Sequence, residues 1–468
     1  MPSRRTYDCR VRILLISTYE LGHQPLHVAS PAAALTAASH DVRALDLAVE
    51  PLDLGLVDWA ERIAISVPMH TAMRLGVEVA NQIKERRADV PLAMYGLYAA
   101  MGPVGSTVDA AFVGEYEPRL VAWASDPTSG VVVDLGVGRF SVPRRDMLPG
   151  LENYAHLAVG DERRPVGYVE ASHGCRHRCR HCPIPAVYDG AFRVVGTDVI
   201  LADVGQLVAM GARHITVGDP DFLNGPAHAL RVIEAVHDAY PELTFDVTVK
   251  VEHILAHADL LPRLAAANVV FIVSAFETVD DHTLTLLEKD HTAADMAAAL
   301  DLARRAGIDI HPSWMPFTPG TRLVDLFRIF EFLAAHDLFG VTDPVQMSIR
   351  LLVPDGSLVL AIPEWRRALG PYDARALTYT WSALDPAVDR LYAQLAELAS
   401  SGADRGADPT AILLDMWRLV LEANGDDPAR ARIDPDSGFG HPRLTEPWFC
   451  CAEPTEGQVG ALVAAKPC

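Results

Sequence analysis

Three cysteines lie close together in one polar segment of the chain. The segment reads His173-Gly-Cys175-Arg-His-Arg-Cys179-Arg-His-Cys182-Pro183, so the cysteines have the spacing C-x3-C-x2-C. Thiolates are the ligands that iron–sulfur clusters require, and a [4Fe–4S] cluster normally takes four of them. Three thiolates in one short loop therefore predict a cluster in which Cys175, Cys179 and Cys182 hold three irons and a ligand from outside the protein completes the fourth.

Two alternative roles for these cysteines stay open at this point. A structural zinc site would use them together with His173, His177 or His181, although zinc ligands usually form two pairs well separated in sequence and no second pair follows here. The second alternative is that they are unpaired core cysteines. The intervening Arg176 and Arg180 are polar and favour a loop, and their charge would offset that of a thiolate-bound cluster.

The cysteine spacing resembles the signature of the radical SAM superfamily. That resemblance implies that the amino acid end of S-adenosylmethionine (SAM) binds the open iron and that an electron from the cluster breaks a carbon–sulfur bond of SAM. It also implies a reductant such as a flavodoxin or a ferredoxin. Many members place an aromatic residue just before the third cysteine, where this chain has His181.

Composition limits the remaining interpretations. The chain has 468 residues, of which 50% are hydrophobic, so about three domains with sizeable cores are expected. A formal net charge of -21 argues against nonspecific binding to nucleic acid. The longest apolar stretch, 265–276, is too short to span a bilayer, and the N-terminus lacks a signal-peptide pattern. We therefore expect a cytoplasmic protein with no nucleic-acid or membrane partner, and the resemblance implies an enzyme that acts on a small molecule.

A first domain is predicted over residues 1–135. Apolar runs at 11–17, 42–47, 63–67, 91–95 and 110–113 alternate with helical patterns at 31–39 and 71–87. This alternation predicts an α/β fold with a parallel sheet and a ligand crevice at the carboxyl ends of its strands. The order resembles the cobalamin-binding Rossmann-like domain of class B radical SAM proteins. Because the Asp-x-His-x-x-Gly motif that supplies a cobalt-ligating histidine is absent, bound cobalamin is left open.

A second domain is predicted over residues 160–365. Its strand-like runs lie at 166–170, 214–217, 244–249, 269–273, 308–314 and 345–352, with helical patterns such as 198–210, 227–239 and 293–306 between them. Six such units predict a partial (βα)6 TIM-type barrel. In barrels of this type the active groups lie on the loops that follow the strands.

That rule selects candidate cofactor-binding residues. Asp219 and Asp221 follow the second strand, Glu277 follows the fourth, Met315 follows the fifth and Arg350 lies in the sixth. The carboxylates are able to accept hydrogen bonds from the ammonium or ribose of SAM, and Arg350 is able to bind its carboxylate. The resemblance implies that groups on these loops surround SAM. A turn-forming role for the two aspartates and a packing role for Met315 stay open as alternatives.

The third region, 366–468, has helical patterns at 379–399 and 410–424 and ends in a cysteine-bearing tail. The tail contains Trp448-Phe-Cys450-Cys451-Ala452-Glu453-Pro454, and the last residue is Cys468. It resembles the tail of the CUAEP/CCAEP-tail radical SAM proteins, some of which have selenocysteine at the position of Cys451. A position that accepts selenium or sulfur suggests a nucleophile, a redox group or a soft-atom ligand, so we treat Cys450 and Cys451 as candidate catalytic residues.

The resemblance leads to a first hypothesis and two alternatives. The first hypothesis is transfer of the 3-amino-3-carboxypropyl group of SAM to arsenite, with the tail thiols binding the metalloid, because some relatives with this tail look like enzymes of organoarsenical biosynthesis. The alternative reaction is modification of a natural-product precursor by a 5′-deoxyadenosyl radical, with the cysteine pair as redox group or hydrogen donor. An iron–sulfur electron carrier or sensor is the non-enzymatic alternative.

Overall fold

The structure is a computed structural model that describes residues 10–433 and 441–445. The chain divides into two compact units. The first contains the described residues up to Tyr154 together with Gly205–Met210, and the second contains Ala155–Val204 and the described residues from Gly211 onward. The domain boundaries proposed from the sequence stay predictions.

The first unit is built on a parallel sheet of six strands. They are β1 (Arg12–Ser17), β2 (Asp41–Asp46), β3 (Arg62–Ser66), β4 (Leu92–Tyr95), β5 (Ala110–Gly114) and β6 (Gly130–Asp134). Their order in the sheet is β2-β1-β3-β4-β5-β6. The inner strands are apolar on both sides, as expected when helices cover both faces of a parallel sheet. The predicted Rossmann-like sheet is therefore present, with β6 as an additional edge strand.

Four helices accompany this sheet: α1 (Leu26–Ala37), α2 (Leu54–Trp59), α3 (His70–Arg86) and α4 (Glu117–Ser125). Their buried side chains join those of the strands in an apolar core that includes Leu15, Val28, Tyr95, Phe112 and Trp123. Burial of this much apolar surface is what stabilises the layered arrangement.

The second unit contains the remaining strands. They are β7 (His156–Val159), β8 (Glu162–Val169), β9 (Ser172–Gly174), β10 (Phe192–Val194), β11 (His214–Val217), β12 (Thr244–Thr248), β13 (Val269–Glu277), β14 (Asp309–Trp314), β15 (Leu369–Asp373), β16 (Thr378–Trp381) and β17 (Arg443–Leu444). The main sheet has the order β14-β13-β12-β11-β8-β7-β17. Strands β8 and β11 to β14 are parallel, while β7 and β17 are antiparallel to their neighbours. This parallel-rich sheet is consistent with a partial TIM-type barrel.

The prediction of a sixth barrel strand at 345–352 is wrong. Pro344–Ser348 forms a 3-10 helix, and the parallel pairing beyond it consists of one isolated bridge between Phe317 and Arg350. The reason is local. The Asp343 side chain accepts a hydrogen bond from the amide of Val345, and Pro344 follows it, which favours a turn over an extended strand. The parallel part of the sheet therefore has five strands.

The remaining helices are α5 (Ile184–Tyr188), α6 (Thr197–Ala209), α7 (Pro226–Ala239), α8 (Val251–Ala256), α9 (Leu261–Ala266), α10 (Asp281–Leu286), α11 (Ala293–Ala306), α12 (Leu323–Ala335), α13 (Pro386–Asp404) and α14 (Pro409–Ala423). Helix α13 begins at Pro386, and not at 379 as the pattern predicts, because β16 pairs with β15 there and Asp385 caps the helix. None of the helices in the described ranges combines the length and the hydropathy that a membrane-spanning segment needs.

Candidate active site

The segment that carries the three cysteines begins just beyond the carboxyl end of β8. Strand β9 leads into it and pairs with β10 in an antiparallel manner, with Gly174 opposite Phe192. Gly174 has a φ of 75°, and a Cβ at this position would lie 2.3 Å from the carbonyl oxygen of Ala191. Only glycine fits such a position, so the backbone itself fixes how the loop 175–182 (the cysteine loop) leaves the sheet.

The three cysteines are free thiols, with Cys175 and Cys179 buried and Cys182 partly buried. Asn224 Nδ2 donates to Cys175 Sγ over 3.5 Å, while its Oδ1 accepts from the amide of Arg176 over 3.3 Å. Burial raises the pKa of the Cys175 thiol. A buried thiolate therefore needs positive charge nearby, and iron supplies it, so this donor set fits the metal of an iron–sulfur cluster.

The second half of the cysteine loop is held by the segment after α10. The Arg180 amide donates to the carbonyl of Leu287 over 2.9 Å, and its guanidinium contacts Glu288 at 2.6 Å. His181 Nε2 lies 3.0 Å from Oε1 of Glu277 at the end of β13. These contacts place the residue before the third cysteine against a buried carboxylate.

Glu277 also pairs with a buried lysine. Lys289 Nζ lies 3.0 Å from Glu277 Oε1, and both side chains are almost fully buried. Burial alone would raise the pKa of Glu277, but Lys289 and His181 hold it well below its ordinary value. Glu277 has a φ of 64° at an irregularity in the β13–β14 pairing. A non-glycine residue in this conformation stores backbone strain, which is common at functional sites.

The first half of the cysteine loop is held by groups that follow β11 and β12. His177 Nε2 lies 3.3 Å from Asp221 Oδ2, and His253 Nδ1 lies 2.7 Å from the same oxygen. Lys250 Nζ lies 3.0 Å from the other ring nitrogen of His177. Burial would raise the pKa of Asp221, but the two histidines lower it to about 2. Asp221 is therefore a buried carboxylate between two imidazoles.

Asp219 is buried beside Ala171 and Ser172, which precede the cysteine loop. It accepts a hydrogen bond from the amide of Ala171 over 2.6 Å and another from the hydroxyl of Ser172. Burial raises the pKa of Asp219 to about 7, and these hydrogen bonds oppose the increase. The structure thus places Asp219 where it joins the end of β11 to the segment between β8 and β9.

The described contacts of Met315 and Arg350 are with residues outside the cysteine loop. Met315 packs in an apolar cluster that includes Leu287, Leu351 and Trp365, and its amide donates to the carbonyl of Glu277. This packing is the alternative that the sequence leaves open for Met315.

The Arg350 guanidinium is held by the region after the barrel. It lies over the ring of Trp381 at 3.9 Å and that of Tyr392 at 4.7 Å, and it contacts Asp389 at 3.2 Å. Such stacking and pairing use both the plane and the edge of a guanidinium. The SAM-binding roles of Met315 and Arg350 stay predictions.

Sequence reasoning misses four side chains of this site: Asn224, Lys250, His253 and Lys289. A signal exists for three of them, because Asn224 follows β11 and Lys250 and His253 follow β12, and functional groups are expected after the carboxyl ends of these strands. Lys289 carries no comparable local signal. The candidate tail residues Cys450 and Cys451 lie outside the described residues.

Comparisons with known proteins agree with this fold. Residues 169–333 match a protein-family model described as "Radical SAM superfamily". The fold is similar to that of the cobalamin-dependent S-adenosylmethionine radical enzyme OxsB, with a TM-score of 0.68 and 13% identity over 88% of this chain and 72% of OxsB. It is also similar to the radical S-adenosylmethionine methyltransferase TsrM from Kitasatospora setae, with a TM-score of 0.58 and 18% identity over 76% of each chain. No curated protein sequence matches the chain.

Proposed function

We propose that Cys175, Cys179 and Cys182 hold a [4Fe–4S] cluster. Residues 169–333 match the radical SAM superfamily, so the protein is an enzyme that uses such a cluster and SAM. The observation that supports the assignment is the position of three free thiols in one loop beside the carboxyl end of β8. When bound, the cluster supplies the electron that breaks a carbon–sulfur bond of SAM. The three protein thiolates leave one iron for SAM.

The neighbouring side chains bind and orient the cysteine loop. Asn224 donates to Cys175, and Arg180 ties the loop to the backbone of Leu287. Lys289 contributes a fixed buried charge, and the Cys179 and Cys182 thiols interact with it electrostatically. Such a charge would offset part of the negative charge of a thiolate-bound cluster.

The SAM contacts proposed from the sequence involve Asp219, Asp221 and Glu277. All three carboxylates are buried and lie beside the cysteine loop or its entry, which supports their placement near the cofactor. Each already contacts other groups of the protein, so SAM would have to bind through remaining acceptor positions of the carboxylates. Binding of SAM to single variants by equilibrium dialysis tests each assignment.

We also propose that the first unit binds cobalamin. Two features support this: the sheet changes direction between β1 and β3, where α/β sheets bind ligands, and the fold is similar to two proteins whose names or bound ligands include cobalamin. The strand ends there carry the buried polar residues Thr18, Glu20 and His70, which fit a ligand rich in polar groups. After reconstitution with hydroxocobalamin and gel filtration, the protein should retain about one corrinoid per chain. Complete loss of the corrinoid would contradict the proposal.

The reaction that we favour remains transfer of the 3-amino-3-carboxypropyl group of SAM to arsenite. It rests on the resemblance of the tail and on Cys450 and Cys451, which lie outside the described residues. Modification of an organic precursor through 5′-deoxyadenosine formation is the alternative. The two reactions cleave different carbon–sulfur bonds and therefore leave different nucleoside products.

Product analysis separates these reactions. The reconstituted enzyme is reduced under anaerobic conditions and incubated with SAM, with or without arsenite. Formation of methylthioadenosine and an arsenic-bearing amino acid only when arsenite is present would support the favoured reaction. Formation of 5′-deoxyadenosine in the same amount with and without arsenite would contradict it. Cys182→Ser should lose both iron and turnover, while Cys451→Ser should retain the cluster and lose turnover. Full iron retention in Cys182→Ser would contradict the cluster assignment.

A further inference from the structure

A second group of metal-ligand side chains lies beside the cysteine loop. It consists of His177 in the loop, Asp221 after β11 and His253 on α8, whose ligand atoms all lie within 4.8 Å of one another. Nε2 of His177 and Nδ1 of His253 lie 3.3 Å and 2.7 Å from Oδ2 of Asp221. The side chain of Asp221 is 0% exposed. We call these three residues the His–Asp–His triad.

The contacts inside the triad do not have hydrogen-bond geometry. His177 Nε2, Asp221 Oδ2 and His253 Nδ1 are each buried and lack a hydrogen-bond partner among the described residues, although the three atoms converge. A buried carboxylate oxygen without a hydrogen bond lowers the stability of the folded protein, because a buried charge needs a partner that compensates for the lost water. A cation bound between the two ring nitrogens and this buried oxygen would give all three atoms a partner.

We propose that the His–Asp–His triad binds a divalent metal ion of the zinc type, in addition to the iron of the cluster. Two imidazoles and one carboxylate form the ligand set of zinc sites that keep a fourth position open. Neighbouring ligands on tetrahedral zinc lie about 3.3 Å apart, given Zn–N and Zn–O bonds of about 2.0 to 2.2 Å. His177 and Asp221 already have this separation, and His253 has to move away from Asp221 by several tenths of an ångström.

Lys250 competes with the metal for His177. Its Nζ lies 3.0 Å from His177 Nδ1 and donates to it, which places the ring proton on Nε2, the atom that the metal needs. Glu252 lies 3.3 Å from Lys250 Nζ and 3.6 Å from His177 Nδ1, and Asp290 lies 3.8 Å from Lys250 Nζ. When the metal binds, Lys250 turns to these carboxylates and Glu252 accepts the proton of Nδ1, as carboxylates often do behind a ligating histidine.

The metal would join three separate segments. His177 lies between Cys175 and Cys179 in the loop, Asp221 follows β11 and His253 lies on α8. The bound ion therefore clamps the first half of the cysteine loop, whereas the cluster is held by cysteines alone. This assignment is an alternative to the SAM contact predicted for Asp221.

Zinc binding by single variants of the full chain tests the proposal. Iron and zinc are measured by mass spectrometry after anaerobic reconstitution and equilibrium dialysis against free Zn²⁺. His253→Ala should bind one zinc fewer per chain than the wild type, or bind it more than about 100-fold more weakly, because it lacks a direct ligand. The matched control is His257→Ala, since His257 lies near His253 but outside the triad, with ring centroids 5.7 Å apart.

A second variant tests the proposal without removing any of the three ligands. Lys250→Met should bind the same zinc roughly 10-fold more tightly than the wild type, because the competing donor is gone. Iron content reports on the cluster site separately. Loss of zinc with four irons retained would therefore show that the substitution affects the triad and not the cluster. Equal zinc binding by the wild type and His253→Ala would overturn the proposal, and so would a Lys250→Met variant with unchanged zinc affinity.

Discussion

Nε2 of His181 lies 3.0 Å from Oε1 of Glu277, and the same carboxylate oxygen lies 3.0 Å from Nζ of Lys289. This contact joins the residue before the third cysteine to the end of β13. Because Lys289 and His181 both contact the buried Glu277 carboxylate and hold its pKa low, Glu277 keeps its charge inside the protein. The cysteine loop therefore contacts, through His181, a buried Glu277–Lys289 pair that is far from it in sequence.

Removal of Lys289 should destabilise the protein strongly. Lys289→Met leaves the buried Glu277 carboxylate with His181 as its remaining basic contact, and loss of one partner of a buried pair costs about 3–5 kcal/mol. The free energy of unfolding is measured by urea denaturation of the cofactor-free protein. The double variant Glu277→Gln/Lys289→Met should recover at least about half of the loss. A single variant within about 1 kcal/mol of the wild type would show that the pair contributes little.

Asn224 should tune the reduction potential of the cluster. Its Nδ2 donates to Cys175 Sγ, and a hydrogen bond to a cluster thiolate favours the more negative, reduced state. Asn224→Leu should therefore lower the midpoint potential by roughly 40 mV, which corresponds to about 1 kcal/mol for one electron. The measurement is a redox titration followed by electron paramagnetic resonance.

The matched control for Asn224 is Asn268→Leu. Asn268 donates to the carbonyls of Pro241 and Leu243 and makes no described contact with the cysteine loop. Its substitution should leave the potential unchanged while it lowers stability. Equal midpoint potentials in the wild type and Asn224→Leu would show that Asn224 does not affect the cluster.

Asp46 should make the stability of the protein depend on pH. Burial raises the pKa of Asp46 to about 6, although Tyr154 donates to it over 2.9 Å. A raised pKa means that the folded state prefers the protonated carboxyl, so its contribution is complete below about pH 4 and is lost as the pH rises through 6. The loss is roughly 3 kcal/mol, given about two units above the ordinary value.

Asp46→Asn removes this titration. The free energy of unfolding of the variant, relative to the wild type, should therefore increase between about pH 4 and 6 and level off above about pH 7. Urea denaturation of the cofactor-free protein at several pH values measures it. A difference between the two proteins that is constant with pH would contradict the assignment.

Arg350 should contribute to stability through its contacts with the region after the barrel. Arg350→Lys keeps the charge but loses the planar stacking on Trp381 and Tyr392, and we expect a loss of about 1–3 kcal/mol in the free energy of unfolding. The exposed Arg375→Lys is the control and should change stability by less than about 0.5 kcal/mol. SAM affinity of Arg350→Lys tests its predicted binding role separately, and an unchanged dissociation constant would contradict that role.

Local features of the sequence predict much of the fold. The alternation of apolar runs and helical patterns predicts β1 to β5 and β8 and β11 to β14 at nearly their observed positions, because each pattern depends on neighbours in the chain. The cysteine spacing predicts a cluster loop for the same reason. The missing sixth strand shows the limit, since Asp343 and Pro344 outweigh an apolar run that would suit a strand.

The tertiary structure alone decides what supports the loop. His253 and Lys289 reach His177, Asp221 and Glu277 only because parallel strands bring their carboxyl ends to one edge of the sheet. The sequence determines which side chains are available and places the cysteines within one loop. Which buried charge meets which depends on contacts between segments far apart in the chain, and those contacts exist only after the sheet has formed.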